Sequence, residues 1–164
     1  MPPWPMAKPS STKILPLKKL LTLRELWRWE GRAVVFTNGV FDLLHAGHVK
    51  VLEKAKSQGD LRVVGVNLDS SVRKLSKAPG RPINKWRDRA EVVAALACVD
   101  AVVGFPESTP EHLMSQLRPD VQVKGGDYKP EDLPEAKHAG KVVIVSLKKG
   151  YSTTGLIKRL QGRR

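Results

Sequence analysis

A single cysteine, Cys98, leaves this chain without an internal disulfide. That excludes the small cysteine-stapled secreted scaffolds and suits a reducing cytoplasm. Cys98 itself sits in an apolar helical run and reads as core rather than as a nucleophile. No run of 18 apolar residues occurs, which excludes a membrane-spanning helix. The start, Met1 to Lys13, holds four prolines but no apolar stretch of signal-peptide length. Aromatic residues make up only 5% of the chain, leaving little to stack on bases. Acid is scarce where base is abundant: residues 148–164 carry six Lys/Arg and no carboxylate, and residues 1–32 carry seven against two. Residues 33–147 nearly balance, with 16 bases and 14 acids, so the net +13 belongs mostly to the ends. A solvated basic surface is the ordinary reading of such ends, and nucleic acid is not the expected partner.

What is present is a succession of βα units. The 164 residues, 41% hydrophobic and 27% charged, suffice for one ordinary domain with a sizeable core. Residues 1–13 are expected to be disordered or extended. Residues 14–32 are expected to hold an N-terminal helix, opened by a Thr22-Leu23-Arg24-Glu25 capping box and stopped at Gly31. Residues 33–164 should form the main domain. Strands are expected at Ala33–Thr37, Arg62–Asn67, Ala101–Phe105, Val121–Lys124 and Lys141–Leu147, and helices at Ala46–Ser57, Ser70–Ser76, Trp86–Cys98, Pro110–Leu117 and Thr153–Gln161. The strands are nearly continuously apolar, as when both faces of a parallel sheet are covered. This predicts an α/β fold: a doubly wound, mostly parallel, five-stranded Rossmann-like sheet with helices on both faces. Ligands of such sheets bind beyond the carboxyl ends of the strands, which selects four segments.

In the first, an apolar strand runs into Thr37-Asn38-Gly39-Val40-Phe41-Asp42, followed by His45 and His48 at a helix start. Three residues is nearly one turn, so both imidazoles share a face where unpaired N–H groups favour phosphate, and Gly47 bares the backbone between them. A metal pair is the competing reading, but His-x-x-His without further ligands is weak evidence for zinc. In the second, Asn67 ends a strand, Asp69 or Ser70 caps a helix, and a basic loop runs from Arg73 to Pro82. That loop leaves the strand edge where a triphosphate would lie, which makes it a candidate phosphate clamp. In the third, a strand ends in Lys124-Gly125-Gly126-Asp127-Tyr128, an ammonium beside flexible backbone. In the fourth, Ser152-Thr153-Thr154 precedes an apolar helix, offering hydroxyl and backbone donors, with Ser152 as N-cap the simpler account.

The ordered set Asn-Gly-Val-Phe-Asp-x-x-His-x-Gly-His, Gly-Arg-Pro-Ile-Asn, Val-Lys-Gly-Gly-Asp-Tyr and Tyr-Ser-Thr-Thr spans Ala33 to Leu160. It closely resembles the nucleotidyltransferase superfamily in its heptose 1-phosphate adenylyltransferase branch. The resemblance implies AMP transfer from ATP to D-glycero-β-D-manno-heptose 1-phosphate, giving ADP-heptose and pyrophosphate. It implies catalytic roles for His45, His48, Lys124 and Arg89, the last matching the arginine such enzymes carry before their apolar helix. It implies ATP contacts from Thr37, Asn38, Gly39, Phe41, Asp42, Gly47, Ser152, Thr153 and Thr154. Sugar-phosphate contacts would come from Asn67, Lys77, Arg81, Gly125, Gly126 and Asp127, with Lys74 the alternative to Lys77. Magnesium would ride on the ATP phosphates with few protein ligands, Asp42 and Asp127 being candidates. The form implied is the stand-alone adenylyltransferase in the cytoplasm, with a separate heptose kinase upstream and homo-oligomerisation left open. A cytidylyltransferase of a polyol or amino-alcohol phosphate, a non-catalytic nucleotide sensor and a nucleic-acid-binding protein are the alternatives.

Overall fold

The computed structural model of the chain describes residues 9–75, 79–147, 152–160 and 162. Its helices are α1 (Ser10–Lys13), α2 (Leu17–Trp29), α3 (Ala46–Lys56), α4 (Asp69–Lys74), α5 (Trp86–Ala94), α6 (Glu111–Leu117) and α7 (Thr153–Leu160). The strands are β1 (Val34–Gly39), β2 (Leu61–Asn67), β3 (Ala101–Phe105), β4 (Val121–Gly125) and β5 (Lys141–Val145). They form one five-stranded sheet in the order β3-β2-β1-β4-β5, parallel at every pairing. The doubly wound architecture expected from the strand–helix alternation is the one observed, with the sheet wholly rather than mostly parallel.

Alternation along each strand sorts side chains onto two faces. Val34, Phe36, Val63 and Val103 pack with Leu20 and Trp27 of α2 and with Leu113, Met114 and Leu117 of α6. On the other face, Val64, Val66 and Val102 pack with Leu52 of α3 and with Ala90, Val93 and Ala94 of α5. Carboxylates tie the amino-terminal edge of the sheet. Asp60, Asp100 and Asp120, each just ahead of its own strand, accept the N–H of Ala33, Arg62 and Val34 on the neighbouring strand at 2.7–2.8 Å. These bonds lock register there and leave the carboxyl edge for a ligand.

Two expectations near the N-terminus fail. Of the segment 1–13, residues 1–8 lie outside the described residues, and Ser10–Lys13 form a helical turn rather than extended or disordered chain, next to Leu15, which is buried and donates to Val102 O at the open edge of β3. Helix α2 starts at Leu17 behind Pro16, not at a Thr22 capping box, and the Thr22 hydroxyl bonds back to Lys18 O. Proline's fixed φ suits the residue leading into a helix, which outweighs the Thr-x-x-Glu pattern. The stop at Gly31 is as expected: φ is +70°, and Gly31 and Arg32 N–H return to Arg28 O and Trp27 O. Between β4 and β5 the chain makes two 3₁₀ segments, Pro130–Asp132 and Pro134–His138, which periodicity does not reveal.

Candidate active site

The order of the sheet puts its switch point between β1 and β4, where the chain goes from winding one way to winding the other. The two strands pair only at Val35–Val121 and Phe36–Gln122, then part. A cleft of about 450 Å³ opens over their carboxyl ends. Its walls include Thr37, Asn38, Gly39 and Phe41 from β1 and the following turn, and His45, Gly47 and His48 from the start of α3. Asn67, Arg81, Lys124 and Gly125 also line it, with Ser152, Thr153 and Thr154 from the start of α7. Elements far apart in sequence therefore meet as expected.

The histidine pair is organised by the helix it begins. His45 is the N-cap of α3, and its Nδ1 accepts from Gly47 N–H at 3.1 Å. His48 Nδ1 reaches back to His45 N–H at 3.4 Å, so the imidazoles perform the reciprocal capping usually left to Ser and Glu. The rings stack with centroids 3.9 Å apart, and Phe41 lies 5.0 Å from His48. With Nδ1 accepting, each ring carries its proton on Nε2. Burial lowers the His45 pKa, while burial and then the neighbouring His45 push His48 down to about 4. Both rings are thus neutral donors near pH 7. Phe41 packs its ring beside His48 with a backbone φ of +50°, a strained value for a bulky residue. Its ring needs Gly39, where an added Cβ would stand 3.1 Å from Phe41 Cε2.

On the β4 side, Lys124 Nζ donates to Asn38 Oδ1 at 3.0 Å, spanning the gap left where the strands part, and lies 5.7 Å from the Tyr128 ring. It also meets Glu135 Oε1 at 3.3 Å. Gly125 is required by close approach: a Cβ there would come within 2.5 Å of Val51 Cγ2 on α3. At α7, Ser152 Oγ accepts from Gly155 N–H, so Ser152 is the N-cap and Thr153 and Thr154 are the hydroxyls at the cleft wall.

Four expected site residues stand elsewhere. Arg89 does not reach the cleft. Its side chain is fully buried and donates to Asn84 O, Val40 O, Asn67 O and Asp69 Oδ1 at 2.6–2.9 Å. Buried carbonyls need donors, and a five-donor fork satisfies several at once, so Arg89 clamps the turns that form the walls. Asp42 is buried too. Its Oδ1 accepts Ile83 N–H and Asn84 N–H, and its Oδ2 accepts Arg81 Nε. Burial alone would raise its pKa, but those N–H bonds and Arg81 outweigh it and hold the carboxyl below its ordinary value. Asp42 thereby fixes the loop that presents Arg81 to the cleft. Gly126 and Asp127 lie past the end of β4 outside the cleft lining, Asp127 exposed to solvent. Lys77 lies outside the described residues.

Asn67 is held by Ser71: its Nδ2 donates to Ser71 Oγ at 2.8 Å and to Glu107 O at 3.3 Å. Sequence reasoning gave no site role to Val40, Val51, Leu75, Ser108, Tyr128 or Leu147, which also line the cleft, nor to Glu135. Ser108 lies in a short loop after β3 with no pattern to mark it. Glu135 could have been suspected only as an acid between the apolar Leu133 and Ala136. No carboxylate lines the cleft among the described residues, and no three or more of their His, Cys, Asp and Glu side chains are grouped to hold a metal ion. No described helix is long and apolar enough to cross a membrane.

Comparison with known proteins agrees with this geometry. A family model described as cytidylyltransferase-like matches residues 36–159. The bifunctional protein HldE of Syntrophotalea carbinolica is 49% identical over 157 residues, covering 93% of this chain. HldE of Azotobacter vinelandii is 47% identical over 156 residues, again 93% of this chain. The chain spans only 32–33% of the length of these curated relatives. Among solved structures, a lipopolysaccharide core biosynthesis protein from Thermoplasma volcanium matches with TM-score 0.61 and 29% identity, covering 74% of this chain and all of that one. Pantoate-beta-alanine ligase from Francisella tularensis has TM-score 0.57 at 16% identity, covering 89% of this chain and 72% of that one, a likeness of fold alone.

Proposed function

The chain belongs to the cytidylyltransferase-like family, and from that premise we propose that its cleft moves AMP from ATP onto D-glycero-β-D-manno-heptose 1-phosphate, forming ADP-heptose and pyrophosphate. The observation that carries this reading is the chemistry of the cleft: neutral imidazole donors, an ammonium, a guanidinium and hydroxyls line it, and no carboxylate does among the described residues. Such a lining suits two phosphate-bearing substrates. The HldE relatives, 45–54% identical, support the choice of sugar.

A sugar phosphate is already ionised at neutral pH, so its oxygen attacks the α-phosphorus without a general base. The P–O bond to the β-phosphate breaks, and the electron pair leaves on pyrophosphate. The protein's work is to align the two anions and to stabilise charge as it moves to the leaving group. His45 and His48 donate Nε2–H to the triphosphate from the start of α3, and the approaching negative charge favours their protonation, countering burial. Lys124 stands across the gap for the sugar phosphate or the transition state. Thr153 and Thr154 serve the β- and γ-phosphates, and Arg81 closes the remaining side. A magnesium ion would come with the nucleotide, since the described residues of the lining offer it no carboxylate, and it would supply charge neutralisation at the phosphates. ATP as donor places the proposed reaction in the cytoplasm, downstream of a kinase that makes the sugar phosphate.

The test is pyrophosphate release from ATP and from CTP, each with heptose 1-phosphate, glycerol phosphate and choline phosphate. Turnover with ATP and heptose 1-phosphate alone supports the reading. Preference for CTP with an alcohol phosphate would replace it.

A further inference from the structure

Glu135 belongs to none of the motifs that mark the cleft, yet its side chain is only 3% exposed. A carboxylate at that depth is costly unless a cation and donors meet it. It receives both from β4: Lys124 Nζ at 3.3 Å and Gln122 Nε2 at 3.4 Å. These two residues are two apart and so share one face of the strand. The segment carrying Glu135 is itself pinned. Leu133 is buried ahead of it, and behind it Lys137 pairs with Glu111 of α6 at 2.6 Å.

Lysine's ammonium has three N–H donors. One goes to Asn38 Oδ1 at 3.0 Å and one to Glu135 Oε1 at 3.3 Å. The tetrahedral nitrogen then has a single direction left, and Lys124, 16% exposed along its side chain, lines the cleft. We propose that Glu135 is a positioning residue: with Asn38 it holds the Lys124 ammonium so that the third N–H is aimed at substrate phosphate. The proposal rests on the phosphoryl-transfer reading above. Aim matters because a donor preset at the site where charge develops needs no reorganisation during reaction. The pairing has a second consequence. Removing Lys124 strands a buried carboxylate, so Lys124→Ala alone confounds lost chemistry with lost stability.

The experiment compares the full chain with Lys124→Ala, Glu135→Gln and the double variant, by thermal unfolding, ATP titration calorimetry and steady-state pyrophosphate release. Glutamine keeps the shape and an acceptor oxygen, so Glu135→Gln should fold and bind ATP as the native chain does. Its kcat should fall roughly tenfold while KM for ATP moves by less than about threefold, part of the full loss expected on removing a preset donor. Lys124→Ala should lower Tm by about 5–10 °C, the effect of leaving a buried ion without its partner. Adding Glu135→Gln should restore that Tm and cost no further kcat, because the positioning residue has nothing left to position. A purely structural ion pair would give the Tm rescue but leave kcat of Glu135→Gln at the native value, overturning the proposal. So would kcat losses that multiply in the double variant, an absent Tm rescue, or a Glu135→Gln chain that fails to fold where Lys124→Ala folds. Failure of the native chain to use any sugar phosphate would refute the assigned reaction instead, read on turnover and not on unfolding.

Discussion

Replacing Arg89 with lysine separates two readings of one residue. In sequence, Arg89 is a cation ahead of an apolar helix, available to phosphate. In the fold it has no exposure and makes four bonds, three to main-chain carbonyls and one to Asp69. Lysine keeps the charge and can keep Asp69 with one carbonyl, which leaves about two buried acceptors unmatched. At roughly 1–3 kcal/mol for each stranded polar group, Arg89→Lys should cost about 3–4 kcal/mol. A domain with roughly 5–15 kcal/mol of stability survives that at 25 °C, so the variant can be assayed folded. Urea titration followed by far-UV circular dichroism should show the midpoint falling at an unchanged m-value. Tm should drop by about 10 °C for a domain of this size. Turnover of the folded fraction should fall modestly, because Arg89 lies outside the cleft lining and acts through the main chain of Val40, Asn67 and Asn84. An unchanged urea midpoint together with a hundredfold loss of kcat would refute this reasoning and return Arg89 to the substrate.

His48→Ala should fold, losing about 0.5–2 kcal/mol with its capping bond, while kcat falls by about 10²–10³ for one preset donor; near-native kcat in the folded variant contradicts the assignment. Acid should act on stability in two stages, followed as Tm against pH. The histidines titrate below 6.5 when folded, so stability is full above about pH 6.5 and declines as pH falls toward 4, where His48 protonates in the native state. Asp42, held below 3.8, contributes above the ordinary carboxylate range and loses that contribution as pH falls through its lower folded value. His48→Asn should flatten the first stage and Asp42→Asn the second.

Legibility in the sequence follows the physics of each signal. The strands were readable because β-branched runs buried on both faces admit few other structures, and the cleft was readable because a parallel sheet offers one edge to ligands. Thr22 misled because a local Thr-x-x-Glu pattern says nothing of Pro16, six residues upstream. Arg89 and Asp42 misled differently. A charge in a sequence shows that a partner is needed but not which one, and here buried main-chain groups claimed both side chains before any ligand could. Glu135 was invisible because its role depends on a non-repetitive segment returning to β4, a tertiary event with no periodicity. The histidines stand at the start of α3 on the cleft wall, but their mutual capping, and hence the tautomer each adopts, emerges only from coordinates.

The central claim, transfer of the nucleotide's α-phosphoryl group onto a sugar phosphate, is tested most directly by following two labels. The purified chain is supplied with heptose 1-phosphate and ATP labelled at either the α- or the γ-phosphorus. The account predicts that the α label moves into a sugar nucleotide and the γ label appears in pyrophosphate, one for one, and that His48→Ala suppresses both together. Transfer of the γ label to the sugar, or release of pyrophosphate at the same rate without any sugar phosphate, would contradict it.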